Sequence, residues 1–272
     1  MNKHNETSDR QWWPQLEDEN WVEFLAYLGT SPLAECSFAD DLTWVLTSVQ
    51  DNTYNGVLHT QLADTDVDHA IVEVLERFQA RKVPHLWYIH SEDQPADLAQ
   101  RLEAHGCQQL DAGVGMAADL LALNEQIRSV PGLVVERVRD EAGLASWFDA
   151  HPSFSEDDVF AQVRQQLYIS LGLEGDVPLR FYVAKIGDQA VGGFGLFTGS
   201  RAVGIYDVNV VSHMQRQGIG TAMTLAALQE ARQLGYRVAV LGPTSESIKM
   251  YERLGFVLHR STQVCYYLPL AE

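Results

Sequence analysis

Residues 205–235 constrain the fold more than any other stretch. The β-rich run Ile205–Val211 passes through the loop SHMQRQGIG straight into the helical pattern TAMTLAALQEARQLG, which stops at Gly235. Glycines at 218 and 220 permit a tight turn with positive φ and let a ligand approach the main chain. The amides from Gln217 to Thr221 then point outward at the start of a helix, where unsatisfied N–H groups and the helix dipole favour an anion such as a pyrophosphate. Two other phosphate loops fail on the residues. A nucleotide P-loop needs GxxxxGK[ST], which is absent. A dinucleotide fingerprint needs a third glycine where Met223 stands, and an acid for the ribose that residues 238–242 do not offer.

The chain of 272 residues is long enough for two cores. A break at Ser129-Val130-Pro131-Gly132 sets the expected domains at 1–130 and 131–272. After that break LVVERVRD reads as a strand, and DEAGLASWFDAH and residues 155–172 as helices. LRFYVAKIGD and QAVGGFGLFTG form a hairpin turning at Gly187-Asp188, and AVGIYDVNVV is the strand before the glycine loop. RVAVLG is the next strand and ESIKMYERLG the next helix, with FVLHRS and QVCYYLPL as a closing pair. The first half echoes this order: helix DHAIVEVLERFQARK, strand HLWYIH, helix PADLAQRLEAHG, strand-like GMAADL. Gly106 falls on Gly255 and Glu103 on Glu252 at an offset of 149, but Leu102 falls on Tyr251 and no glycine loop precedes the matching helix. This reads as a duplication whose first copy has lost its ligand site, with generic α/β patterning as the competing explanation.

Charge and cysteines narrow the function classes. Residues 1–130 hold 22 acids against 7 bases and residues 131–272 hold 15 against 12, or −15 and −3, which sum to −18. That field repels nucleic acid and acidic membranes and draws cations, although most such acids serve as solubilising surface. Cys36, Cys107 and Cys265 are odd in number and widely spaced, which suggests neither disulfides nor a zinc site and favours a reducing, cytoplasmic setting. Neither a membrane span nor an apolar signal core is evident. Asp64, Asp66 and Asp68 begin like a calcium loop, but His69 and Leu75 stand where Gly and Glu are required, so no metal is expected.

With the P-loop and dinucleotide readings excluded, Gln215–Ala222 resembles the acetyl-CoA motif [Q/R]xxGx[G/A] of the GNAT superfamily of N-acetyltransferases. Two further marks follow the same family: IYDVNVV is similar to its fourth strand, and MYERLGF, residues 250–256, to its LYExLGF segment. Ser212, Thr244 and Ser247 depart from the commonest residues, Pro, Asn and Ala. The resemblance implies an α/β (α+β) fold of two GNAT-like lobes, the first degenerate, each a mixed and mainly antiparallel sheet flanked by helices. It implies acetyl-CoA as cosubstrate, no metal, and direct transfer of acetyl to an amine-bearing acceptor; monomer and homodimer both stay open. The cofactor-binding positions it implies are Val208, Val210, Gln215, Arg216, Gln217, Gly218, Ile219, Gly220, Thr221 and Ser247.

The same resemblance makes Tyr251 the acid that protonates the departing thiolate, since a phenol stays protonated at neutral pH. A core aromatic at helical spacing with Ile248 and Leu254 is the structural alternative. Asp207 is the first candidate for taking the amine's proton, directly or through water. Strand alternation puts it on the face opposite Tyr206 and Val208 unless a bulge re-aims it. An acid capping a nearby turn is the other reading of Asp207, and Tyr206 the alternative acceptor-lining residue. Trp12, Trp13, Trp87 and Trp147 are expected in packing rather than in a site. A non-catalytic acyl-CoA sensor is the rival function.

Overall fold

The computed structural model describes residues 9–111, 113–151 and 159–269. The first elements are α1 (Trp13–Leu28), β1 (Glu35–Phe38), β2 (Leu42–Leu46), β3 (Gly56–Thr60), α2 (Val67–Arg81), β4 (Leu86–Ile89), α3 (Leu98–Ala104), β5 (Gln108–Leu110) and β6 (Val114–Asp119). Then come β7 (Leu133–Arg137), α4 (Glu141–Asp149), α5 (Val159–Leu171), β8 (Leu179–Ile186), β9 (Gln189–Thr198) and β10 (Val203–Val210). The chain continues with α6 (Ile219–Gln233), β11 (Val238–Leu241), α7 (Ile248–Leu254), β12 (Val257–Arg260) and β13 (Val264–Tyr267). The beginning of the helix expected over residues 155–172 lies outside the described residues.

The strands make two sheets, and the chain divides into two units that do not follow the seam expected at 129–132. One unit takes residues 1–24 and 113–261, and the other residues 25–112 and 262–272. The reason is an exchange of strands. β6 precedes the seam, yet it pairs antiparallel with both β11 and β12 in a sheet ordered β7-β8-β9-β10-β11-β6-β12. β13 pairs with β4 and β5 in a sheet ordered β1-β2-β3-β4-β13-β5, so the expected closing pair of β12 with β13 does not form. Residues 261–263 between them carry no glycine or asparagine to set a tight hairpin. β13 instead sinks Tyr266 to 3% exposure in the core of the six-stranded unit.

With the exchange allowed for, the two sheets share one order: β1, β2, β3, β4, β13, β5 in one correspond to β8, β9, β10, β11, β6, β12 in the other. Each has a single parallel pair, β3 with β4 and β10 with β11. Gly106 and Gly255 sit just past α3 and α7 at φ 87° and 109°, the left-handed conformation that ends helices. The offset of 149 holds there, but α2 and β4 correspond to α6 and β11 at 152 (219 − 67 and 238 − 86).

In the seven-stranded sheet both faces are covered, so β11 reads as the unbroken apolar run VAVL. Ala239 and Leu241 join Met116, Ala118, Ile205 and residues of α6 and α7 on one face, while Val238 and Val240 join Ala117, Trp13 and Leu16 on the other. Each such large side chain contributes about 1.5–3 kcal/mol by leaving water. Within α1, Trp13, Leu16, Asn20 and Phe24 form one buried stripe at helical spacing, with a single polar residue in it.

Candidate active site

Between β10 and β11 the sheet opens. The two strands pair at Val203↔Ala239 and Gly204↔Val240, and no pairing follows. Beyond that point β10 also changes register with β9: Tyr206 faces Gly195 and Asn209 faces Gly193, so Asp207 and Val208 together occupy the place of one residue. Asp207 takes φ 52°, a left-handed conformation that Asp tolerates better than most side chains. The bulge is held by Asn209, whose Nδ2 donates to Asp207 O at 3.1 Å and to Gly193 O at 3.4 Å. Asp207 is therefore released from simple strand alternation. Val208 and Val210, half-buried, pack against the core on the α6 side. Asn209 Oδ1 is closed off from solvent and takes no hydrogen bond.

A short 3₁₀ turn, Ser212–Met214, leads from β10 to the glycine loop. Arg216 at φ 61° and Gly218 at φ 90° are both left-handed, so the intervening amides converge into a concave nest. Gly218 is the N-cap of α6, and no side chain caps the helix. Ile219, 1% exposed, anchors the first turn in the core, while Gln215, Arg216 and Gln217 are exposed and Thr221 half-buried. Gln215 Nε2 donates to Val210 O at 3.0 Å, tying the loop back to the strand. The two glycines have different reasons. Gly218 needs its positive φ, whereas a Cβ on Gly220 would make ordinary contact with Met250 Sδ at 3.4 Å and Val210 Cγ2 at 3.8 Å. Gly220 keeps the approach open rather than relieving strain.

Tyr251 lies in α7, next to the methionine that neighbours Gly220. Its ring is 6% exposed and meets Phe256 edge-on at 5.5 Å. Burial pushes the phenol up to about 12, and among the described residues none hydrogen-bonds its hydroxyl. Ser247 is engaged locally: its Oγ donates to Thr244 O at 2.9 Å and lies 3.2 Å from Thr244 Oγ1.

Tyr206 points to the opposite face, under α1. Its Oη donates to Asn20 Oδ1 at 2.7 Å, and its ring stacks on Phe24 at 4.7 Å with Trp21 at 5.7 Å. Burial, then the charges of Glu17, Glu23 and Asp207, push its phenol well above the usual 10. Asn20 Nδ2 reaches Ala202 O at 3.0 Å. These α1 residues were missed in the sequence, although a lone Asn in an apolar stripe was a usable signal.

The matching gap in the six-stranded unit is closed. β3 and β4 also part after two paired positions, but the Asp93 carboxylate spans them, accepting from Thr60 N at 3.1 Å and His90 N at 2.9 Å. Gln94 N then bonds Thr60 O at 2.9 Å, and Asp93 is 5% exposed with His59 Nδ1 at 3.3 Å. Where α6 has its glycine nest, α2 begins beside Asp66 and Asp68, the latter bound by Arg101 and His105. We expect Asp93→Ala to cost this unit about 1–3 kcal/mol of stability and so lower its urea midpoint, since it strands the buried Thr60 N–H and the part-buried His90 N–H. An unchanged midpoint would refute the closure.

Residues 143–256 match the model of the acetyltransferase (GNAT) family. A mycothiol acetyltransferase of Amycolatopsis mediterranei is 29% identical over 132 residues, 46% of this chain and 42% of that protein. Another, of Saccharomonospora viridis, is 34% identical over 140 residues, 47% of this chain and 44% of that protein. The match thus spans less than half of either relative. The fold of a GCN5-related N-acetyltransferase from Kribbella flavida superposes with a TM-score of 0.68 over 94% of this chain and 96% of that one, at 17% identity.

Proposed function

We propose that the chain, whose residues 143–256 match the model of the acetyltransferase (GNAT) family, transfers an acetyl group from acetyl-coenzyme A to an amine, in the seven-stranded unit. The uncapped, left-handed start of α6 beside an open strand carries this reading. A diphosphate fits that nest of amides, and a peptide-like arm fits the unpaired side of β10. The orphaned Asn209 Oδ1 offers such an arm an acceptor. When bound, acetyl-coenzyme A supplies an acyl group activated as a thioester.

The chain's own groups supply the rest. Amides of residues 217–221 hold the diphosphate, with Gln215 and Arg216 flanking it and Thr221 beside the first turn. Main-chain groups of Val208 and Val210 hold the arm in strand-like pairing, and the Val210 amide stabilises negative charge growing on the carbonyl oxygen. Tyr251 keeps its proton through the neutral range and gives it to the departing sulfur. Asp207, turned by the bulge, is an acid positioned to accept a proton from the amine. Ser247 sits at the start of α7, where it can meet the adenosine end. The acceptor is an amine-bearing molecule, the setting is cytoplasmic, and neither nucleic acid nor membrane takes part.

Isothermal titration tests this directly. One coenzyme A per chain is expected, because only the gap of the seven-stranded unit is open, together with thiol release when primary amines are added to the acetyl ester. No heat with either coenzyme A or its acetyl ester would end the proposal.

A further inference from the structure

β10 and β11 part beyond the Gly204–Val240 pair, and the two faces of the sheet differ there. The glycine nest and Tyr251 belong with α6 and α7 on one face, so a molecule that reaches the gap from the other face meets α1. Two residues past the last paired row, Gly204–Val240–Ala117, lie Tyr206 on β10 and Gly115 on β6, level with each other across the opening. Tyr206 is held by Asn20. Over Gly115 sits the carboxylate of Glu17: a methyl at Gly115 would overlap Glu17 Oε2. That oxygen is buried and takes no hydrogen bond, and the side chain is 19% exposed.

Resting on the transferase reading above, we propose that Glu17, rather than Asp207, is the carboxylate that receives the proton lost by the acceptor amine, with Asn20 and Tyr206 beside it. Glu17 takes one proton from the ammonium ion and becomes a neutral acid. The freed nitrogen lone pair forms the C–N bond as the C–S bond breaks, and Tyr251 protonates the sulfur. The second amine proton restores Tyr251, and Glu17 returns its own to solvent. Overall an ammonium ion and a thioester give an amide, a thiol and one proton.

Three titratable groups face Glu17: Asp18 on its own helix, His259 on β12 with Nδ1 at 3.9 Å, and Tyr206 on β10. His259 is held below its usual range by burial, so it offers little positive charge. Asp18 Oδ1 accepts from Ser261 Oγ at 2.8 Å. Burial first, and the Asp18 charge second, push Glu17 up to about 8. A base poised near the working pH transfers protons most effectively. The folded state thus prefers the neutral acid, and this preference loses stability as pH rises from about 4.5 to about 8.

The test compares Glu17→Gln, Glu17→Asp, Gly115→Ala and Asp207→Asn. The probes are acetyl-coenzyme A with spermidine, kanamycin, lysine and glycylglycine, and separately with hydroxylamine, which is largely neutral near pH 7. Glu17→Gln should cut transfer to the protonated amines by about 10²-fold or more. It should also erase the rise in kcat/KM near pH 8, while coenzyme A binding and the hydroxylamine reaction stay unchanged. Gly115→Ala should lose transfer the same way, and Glu17→Asp should recover part of it. The melting temperature of Glu17→Gln should exceed the parent's increasingly from about pH 4.5 to about pH 8. Parent-like transfer and pH profile in Glu17→Gln, with the loss confined to Asp207→Asn, overturns the proposal. So does a parent that binds coenzyme A yet acetylates none of these amines, which leaves the cofactor site standing; failure to bind coenzyme A at all sinks both.

Discussion

Gly220→Glu is expected to abolish coenzyme A binding, raising Kd at least about 100-fold, or roughly 3 kcal/mol. The substitution sets a carboxylate among the amides proposed to hold the diphosphate, at the end of the helix whose dipole favours that anion. The matched control is Gly220→Ala. Its added carbon makes only ordinary contacts with Met250 and Val210, and its φ is unstrained, so binding should stay within a few-fold. Alanine should also stabilise α6 slightly, by up to about 1 kcal/mol. Titration calorimetry on both variants separates charge from bulk. Equal binding by the two would mean the nest is not where the diphosphate lies.

Tyr251→Phe should lower kcat by about 10²- to 10³-fold with little change in the KM for acetyl-coenzyme A, because a proton donor acts on the breaking bond and not on binding. The variant should melt where the parent does. The ring still packs on Phe256, and none of the described residues loses a hydrogen bond with the hydroxyl. The direction of the shift gives a second check. A phenol pushed up to about 12 stays protonated throughout the usable range, so the parent should show no falling limb from Tyr251 below about pH 11. Unaltered turnover in the phenylalanine variant would remove Tyr251 from the chemistry and return it to the core.

The parts of this site that local chemistry fixes were legible in the sequence. Gly218 and Gly220 announce a backbone shape, and the helix that follows begins one residue after Gly218. The bulge was foreseen as the condition for Asp207 to leave its strand face, and it occurs at that residue. What escaped depends on distance along the chain. Val114–Asp119 and Val264–Tyr267 are short β-rich runs, and nothing within either says which sheet will take it; that choice is made by partners more than a hundred residues away. The compact units divide away from residues 129–132 for the same reason, since the segment after β6 returns to the helices of the seven-stranded unit. Glu125 there pairs with Arg232 at 2.7 Å, and Asn124 Nδ2 reaches Arg253 O at 2.9 Å. Glu17 and Asn20 were passed over because no helix was read over residues 13–28, and their neighbours Gly115 and Tyr206 lie far along the chain.

The exchange of β6 and β13 also bears on the order in which the ribosome delivers the chain. β1 to β5 are the first strands made, but the strand that lies between β4 and β5 follows only after the whole seven-stranded unit has been translated. Until then β4 and β5 lack their shared partner and present bare edges, the kind of exposure that invites mispairing. Neither sheet can be completed from one continuous half of the sequence, so each waits on a segment that the other half supplies.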